Sequence, residues 1–244
     1  MHAMHFLRIS FLLAATSITV FPSFSRFATT LRAVCAIHPP SSRLCVTTGW
    51  RFRATQDVPI VRTDKDGKRI GTRVHWGLIP FWAKGMQPKY STINVTVEKL
   101  TDGATWRGPW KRGQRCIMPA LGFYEWQVLA DGKSKQPFYI TTNDQDMFGF
   151  AALWDSSTGA DGIAVESCTI VTMPANKLMT EIHIVKHRMP AILSKEDQET
   201  WLTDTADDAF KVIKQYPDTH MVATPVSTQV NTPKSNNAKL IKPN

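Results

Sequence analysis

Beyond Val58 the apolar and polar residues fall into short regular runs that read as strands. Val58 to Arg62 and Arg69 to Trp76 form a predicted pair, joined by the turn-rich connector Asp64-Lys65-Asp66-Gly67. Arg115 to Met118, Gly122 to Leu129, Pro137 to Thr141 and Met147 to Trp154 predict further strands, with Asp131-Gly132 punctuating a hairpin. Cys168 to Met173 is β-branched and predicted to be buried, and Thr219 to Ser227 reads as a late strand. Gly77 to Met86 is a Pro/Gly/Trp loop.

Two helices are predicted. The first spans roughly Ala175 to Val185, with Leu178, Met179 and Ile182 on one face. The second begins at Ser194, whose hydroxyl can cap it, with Asp197 completing a capping-box pattern. Thr232 to Asn244 reads as a polar, basic surface tail. Many strands and few helices, without βαβ alternation, predict an α+β single domain on an antiparallel, barrel-like sheet.

The 244 residues suffice for one sizeable domain or two small ones. No Asp or Glu precedes Asp57, and Ile9 to Phe21 is apolar, follows Arg8 and leads into a Ser/Thr/Arg-rich stretch. That run is shorter than the ~20 residues of a typical membrane span, so no membrane association is expected. It reads as a signal or transit segment, or as sequence upstream of the true start. Residues 1–33 are therefore set apart from a domain at 34–244. The four cysteines, Cys35, Cys45, Cys116 and Cys168, form no CxxC pair, which argues against a zinc ribbon, and are too few in a chain this long for a disulfide framework. The net charge of +9 favours an anionic partner, nucleic acid first.

Three segments place reactive residue types where an ordinary core does not need them. Glu125 sits between aromatic neighbours in Gly122-Phe123-Tyr124-Glu125-Trp126, a setting expected to raise a carboxyl pKa and make it a proton donor near neutrality. Asn94 follows Tyr90-Ser91-Thr92-Ile93; its amide can hold a carbonyl, phosphate or amine, or simply serve a turn. His183 ends the first predicted helix, where it can shuttle protons or merely complement the helix terminus. His187 lies four residues on, but Ile184 occupies the position where a zinc protease carries Glu, so a metal pair ranks below proton transfer. Trp76, Trp82, Trp106 and Trp110 are interleaved with Arg73, Lys84, Lys89, Arg107, Lys111, Arg112 and Arg115, which suits a groove for single strands. Trp106 and Trp110 are expected to be exposed, whereas Trp76 also suits a core.

Taken together, these segments resemble the SOS response-associated peptidase family of abasic-site processing proteins. The resemblance is carried by Trp76-Gly77-Leu78-Ile79-Pro80-Phe81-Trp82-Ala83-Lys84, Ile93-Asn94 with Glu98, Arg115-Cys116-Ile117-Met118-Pro119 and Gly122-Phe123-Tyr124-Glu125-Trp126. It continues through Gln136-Pro137-Phe138-Tyr139, Ala175-Asn176-Lys177-Leu178-Met179, Ile182-His183, Arg188-Met189-Pro190-Ala191-Ile192-Leu193, and Pro225-Val226-Ser227 with Val230-Asn231. It implies a covalent thiazolidine between an N-terminal cysteine and the aldehyde of an abasic site in single-stranded DNA, with autopeptidase activity and no metal or cofactor. It implies that Asn94 orients the amine or the sugar, that Glu125 and His183 move protons, and that Trp76, Trp82, Lys84 and Arg188 contact DNA.

This chain departs from the family pattern in places. His2 follows Met1, and the nearest candidate nucleophile is Cys35, unusually close to Ala54-Thr55-Gln56. Thr96 stands where the family carries Arg, and Ile184 to Lys186 separate His183 from the Arg-Met-Pro motif. The expected protein is thus a monomer that crosslinks single-stranded DNA at abasic sites, in the cytoplasm or nucleoid, with export or organelle targeting left open by residues 1–33. The rivals are a non-catalytic single-strand-binding relative and, third, a metal hydrolase using His183 and His187.

Overall fold

The computed structural model describes residues 17–19, 52–232, 235 and 237–243. In chain order the strands are β1 (Ser17–Thr19), β2 (Phe52–Arg53), β3 (Asp57–Thr63), β4 (Arg69–Trp76) and β5 (Asn94–Thr96). Helix α1 (Arg107–Lys111) precedes β6 (Arg115–Ala120), β7 (Gly122–Val128), β8 (Lys135–Thr142), β9 (Phe148–Thr158) and β10 (Ala164–Pro174). Then come α2 (Lys177–Ile182), β11 (Arg188–Pro190), β12 (Ile192–Leu193), α3 (Asp197–Thr203), α4 (Ala206–Lys211) and β13 (Met221–Pro225).

Five strands close a ring. β10 pairs β4, β4 pairs β3, β3 pairs β6, β6 pairs β9, and β9 returns to β10. The expected α+β barrel is therefore present, but its closure is mixed: β4 meets β10 in parallel, as does β5. A second, wholly antiparallel sheet runs β13-β8-β7-β1-β2.

Local chemistry explains the frame. The β3–β4 hairpin turns because Asp64 Oδ1 accepts from the amides of Asp66 and Lys68, each at 2.9 Å, while Gly67 takes φ +76°. All six residues of β6 are buried, so its apolar run is continuous rather than alternating. Ring closure covers one face, and α3 lies over the other, with the Trp201 indole donating to the Cys116 carbonyl at 2.8 Å.

Several sequence expectations change. The helix predicted from Ala175 to Val185 is confined to Lys177–Ile182: Asn176 caps it by accepting from the Met179 amide at 2.9 Å, and His183 leaves helical geometry at ψ 60°. Helices α1 and α4 were not anticipated. Trp110 is not exposed: it is 4% accessible and tilts 40° against Trp201 at 6.0 Å. Trp106 is half-buried. The C-terminal stretch is not simply a surface tail, because Leu240, in a 3₁₀ turn, packs with Tyr124, Tyr139, Val226 and Val230. Within the segment set apart at the N terminus, Ile18 pairs with Phe123 and joins the second sheet. Cys35 lies outside the described residues.

Candidate functional site

The central strand of the site is β7. A Cβ at Gly122 would sit 2.4 Å from the Tyr139 ring, so only glycine allows β8 to approach this closely. Glu125 follows three residues later, opposite Phe138 in the register, and is 2% exposed. Strand alternation places Glu125 and Gln127 on one face. Gln127 Nε2 donates to the Glu181 carbonyl at 2.9 Å, so that face looks towards the end of α2.

His183 stands there, two residues beyond Glu181 and 2% exposed. Its Nδ1 lies 3.0 Å from the Arg188 carbonyl. A carbonyl only accepts, so Nδ1 carries the hydrogen and Nε2 is the basic nitrogen of the neutral ring. Burial pushes the His183 pKa below the ordinary histidine value; the Arg188 carbonyl opposes this shift, and the Lys186 charge reinforces it.

Arg188 ties this corner to β5. Its guanidinium grips Glu98 with two bonds of 2.8 and 3.0 Å and donates to the Thr172 carbonyl at 2.7 Å. The same fork lowers the Glu98 pKa to about 2. Four residues before Glu98, Asn94 opens β5 beside Ile170 of β10 and is half-buried. The fold thus brings β7, which carries Glu125, against the end of α2, where His183 follows, and ties the turn after Asn94 to this corner through the Arg188–Glu98 pair.

The Gly77–Met86 loop is pinned from beneath by buried polar side chains. Ser167 Oγ accepts from the Ile79 amide at 2.7 Å, Asp155 Oδ2 from Phe81 at 3.0 Å, and Ser157 Oγ from Gly85 at 2.9 Å. Held this way, the loop leaves Phe81 and Trp82 exposed, at 56% and 49%, with Lys84 beside them. Asp155, Ser157 and Ser167 were not singled out from sequence. Their signal was polarity inside otherwise apolar strands, which marks side chains that must find partners.

Two sequence assignments need correction. Trp76 cannot stack on a base: it is fully buried, and its indole donates to the Ile93 carbonyl at 2.9 Å. Arg188 is not a free phosphate contact, because Glu98 and Thr172 occupy its guanidinium. The metal pair loses its helical basis as well, since His183 ends the helix and His187 adopts φ +48° on the surface. Among the described residues, no three His, Cys, Asp or Glu side chains gather into a metal-binding group. Cys116 and Cys168 are fully buried, and burial raises both thiol pKa values, leaving them poor nucleophiles.

Comparison with known proteins now bears on this geometry. The profile of the family described as SOS response associated peptidase (SRAP) matches residues 25–233. An abasic site processing protein of Bacillus subtilis, YoqW, is 37% identical over 191 residues, covering 77% of this chain and 83% of its own. The abasic site processing protein HMCES of Gallus gallus is 30% identical over 213 residues, covering 75% of this chain and 60% of its own. A crystal structure of a Bacteroides thetaiotaomicron protein superposes with a TM-score of 0.72 at 26% identity, over 82% of this chain and 87% of that one.

Proposed function

The chain belongs to the SOS response associated peptidase family, and on that footing we propose that it processes abasic sites in single-stranded DNA. One observation carries this reading: a buried carboxyl, Glu125, on the strand face turned towards the end of α2, where burial favours the neutral form of His183 and a carbonyl fixes its tautomer. Such a pair can hand protons in both directions near neutrality, which is what aldehyde chemistry demands.

The reaction assigned to the site starts from the ring-opened sugar. An α-amine adds to the C1′ aldehyde, a proton reaches the resulting hydroxyl, and water leaves to give an imine. The neighbouring thiol then adds to the imine carbon, and its proton ends on nitrogen. Amine, thiol and aldehyde become thiazolidine and one water. Glu125 supplies the proton to the departing hydroxyl, and Nε2 of His183 takes protons from the attacking amine and thiol. Asn94 positions the amine or sugar. Trp82 offers a stacking face and Lys84 a phosphate contact. Cys35 is the cysteine assigned to the link, once it bears a free α-amine; autopeptidase action belongs to the same assignment. No membrane partner is proposed: among the described residues, no helix is long and apolar enough to cross a bilayer. A monomer acting where DNA is, in cytoplasm or nucleoid, fits this reading.

A second reading, single-strand binding without a covalent product, is favoured by one fact. The family match begins at residue 25, ten residues before Cys35. Titration with a labelled strand carrying an abasic site, beside its intact and duplex counterparts, and a denaturing gel of the same mixtures test both. Tighter binding of the single strand is expected for either reading. A band that survives denaturation supports the first; equal affinity for duplex overturns both.

A further inference from the structure

At the opposite end of β6 from β7 lies an open pocket of about 470 Å³. The five steps from Arg115 to Ala120, rising ~3.3 Å each, set it roughly 17 Å from the far end of β6. Lys111, Arg112 and Arg115 line it, with the hydroxyl residues Thr63 and Thr203 and a single acidic residue, Asp204. Arg115 is 5% exposed, donates Nε to the Trp201 carbonyl at 2.5 Å and Nη2 to the Asp204 carbonyl, and leaves Nη1 without a partner among the described residues. Lys111 is exposed and makes no ion pair among the described residues. The Asp204 carboxylate accepts from Thr203 at 3.2 Å.

Arg112 joins this pocket to the exposed loop of Phe81 and Trp82. The guanidinium of Arg112 stacks 5.1 Å from the exposed Phe81 ring and bonds Asp155 Oδ1 at 3.0 Å, while Asp155 Oδ2 holds the Phe81 amide. In the same loop the Leu78 amide donates to the Thr92 carbonyl at 3.1 Å, two residues before Asn94. An aromatic face and a cation, Phe81 and Arg112, therefore stand side by side between the loop and the pocket.

We propose that this pocket binds a backbone phosphodiester of the same single strand, several nucleotides away from the lesion. The proposal rests on the DNA-binding reading above and extends it to a second anchoring point. Arg115 fixes the floor of the pocket through its carbonyl bonds, and Lys111 and Arg115 Nη1 face the phosphate oxygens.

Lys111→Gln tests the site, with Lys133→Gln on the remote β7–β8 hairpin as an equal change of net charge. Affinities are measured for abasic strands of about five and about fifteen nucleotides, bracketing ordinary single-strand site sizes, at several salt concentrations. The wild type is expected to bind the longer strand more tightly. Lys111→Gln is expected to erase that gain, lower the salt slope on the longer strand by about 0.7, and leave the short strand unaffected. Lys133→Gln is expected to change neither. Equal length dependence in wild type and Lys111→Gln overturns the proposal while leaving the abasic-site reading intact. Thermal stabilisation by inorganic phosphate that depends on Lys111, without any effect on the strands, identifies a small-phosphate site and also overturns it. Failure of the wild type to bind either strand overturns the functional reading and this one with it.

Discussion

His183 donates from Nδ1 to the main-chain carbonyl of Arg188 at 3.0 Å, while the side chain of Arg188 reaches the other way to grip Glu98. One residue thus fixes the tautomer of the histidine with its backbone and the turn that follows the Asn94 strand with its guanidinium. The sequence motif Arg188-Met189-Pro190 acquires a structural purpose from this. Arg188 sets the geometry of the site, and Lys in its place would keep the charge but lose the two-pronged grip.

This arrangement gives a signed pH dependence. Burial lowers the His183 pKa below 6.5, so the ring stays neutral through neutrality and gains its proton only in more acidic solution. Abasic-site processing is expected to fall on the acid side, with a midpoint below the ordinary histidine value. The unfolded chain takes up this proton first as pH drops. The stability contributed by neutral His183 is therefore complete above pH 6.5 and declines below it. Rates and melting temperatures across pH 4.5 to 8 check both; an acid limb unchanged in His183→Gln would remove the histidine from the chemistry.

Trp76 and Trp82 lie close in sequence but should respond in opposite ways. Trp82→Ala is expected to weaken single-strand binding by about 1–3 kcal/mol, the worth of one stacked base, with little change in melting temperature. Trp76→Ala empties a fully buried site and breaks the bond to Ile93, so a loss of about 3–5 kcal/mol of stability is expected. Thermal melts and a fluorescence titration on both variants separate the roles. Unaltered DNA affinity in Trp82→Ala would remove the loop from the binding surface.

Much of the fold is legible in the sequence, and where it is not the reasons are physical. The β3–β4 pair was readable because its turn chemistry is local: Asp64 and Gly67 announce the reversal themselves. The placement of Glu125, Asn94 and His183 as candidates followed from residue type in an unusual context. The role of Arg188 did not, because its partner Glu98 lies ninety residues away and ion pairing at that separation leaves no local trace. Trp76 and Trp82 share a motif, and only the pairing of β4 with β10 buries the first. Helix α1 escaped because Gly108 and Pro109 occupy a five-residue element, a composition that argues against helix unless tertiary packing of Trp110 imposes it. The helix before His183 was overextended because periodicity shows which face is apolar and not where the chain leaves the helix.

Glu125→Gln is expected to depress the covalent reaction far more than DNA binding. The amide preserves size and hydrogen-bonding capacity but holds no transferable proton. General acid–base contributions of this kind are worth about 10²–10⁴-fold in rate. Crosslinking rates on a denaturing gel, set against affinities from titration, make the comparison. Parallel losses in the two assays would assign Glu125 to holding DNA or the fold.

The position of Cys35 yields the sharpest test of the chemistry. A thiazolidine needs a primary amine and a thiol on adjacent carbons of one residue. Any residue attached before Cys35 turns that amine into an amide, which is too weak a nucleophile to form the imine. Protein confirmed by mass to carry residues ahead of Cys35 is therefore expected to give no denaturation-resistant product with abasic single-stranded DNA. Protein whose mature N terminus is Cys35 is expected to give one. Its yield depends on whether the segment up to Phe52 lets the cysteine reach Glu125 and His183, because this cut also removes Ser17–Thr19, the strand between β2 and β7. Replacing Cys35 by Ser at that same N terminus retains the amine but not the thiol, so a reducible imine without a stable ring is the expected product, trapped by borohydride and absent without it. A stable crosslink from protein with Cys35 blocked would show that the amine comes from elsewhere, and silence from the Cys35 N-terminal protein with DNA binding intact would favour the binding-only reading.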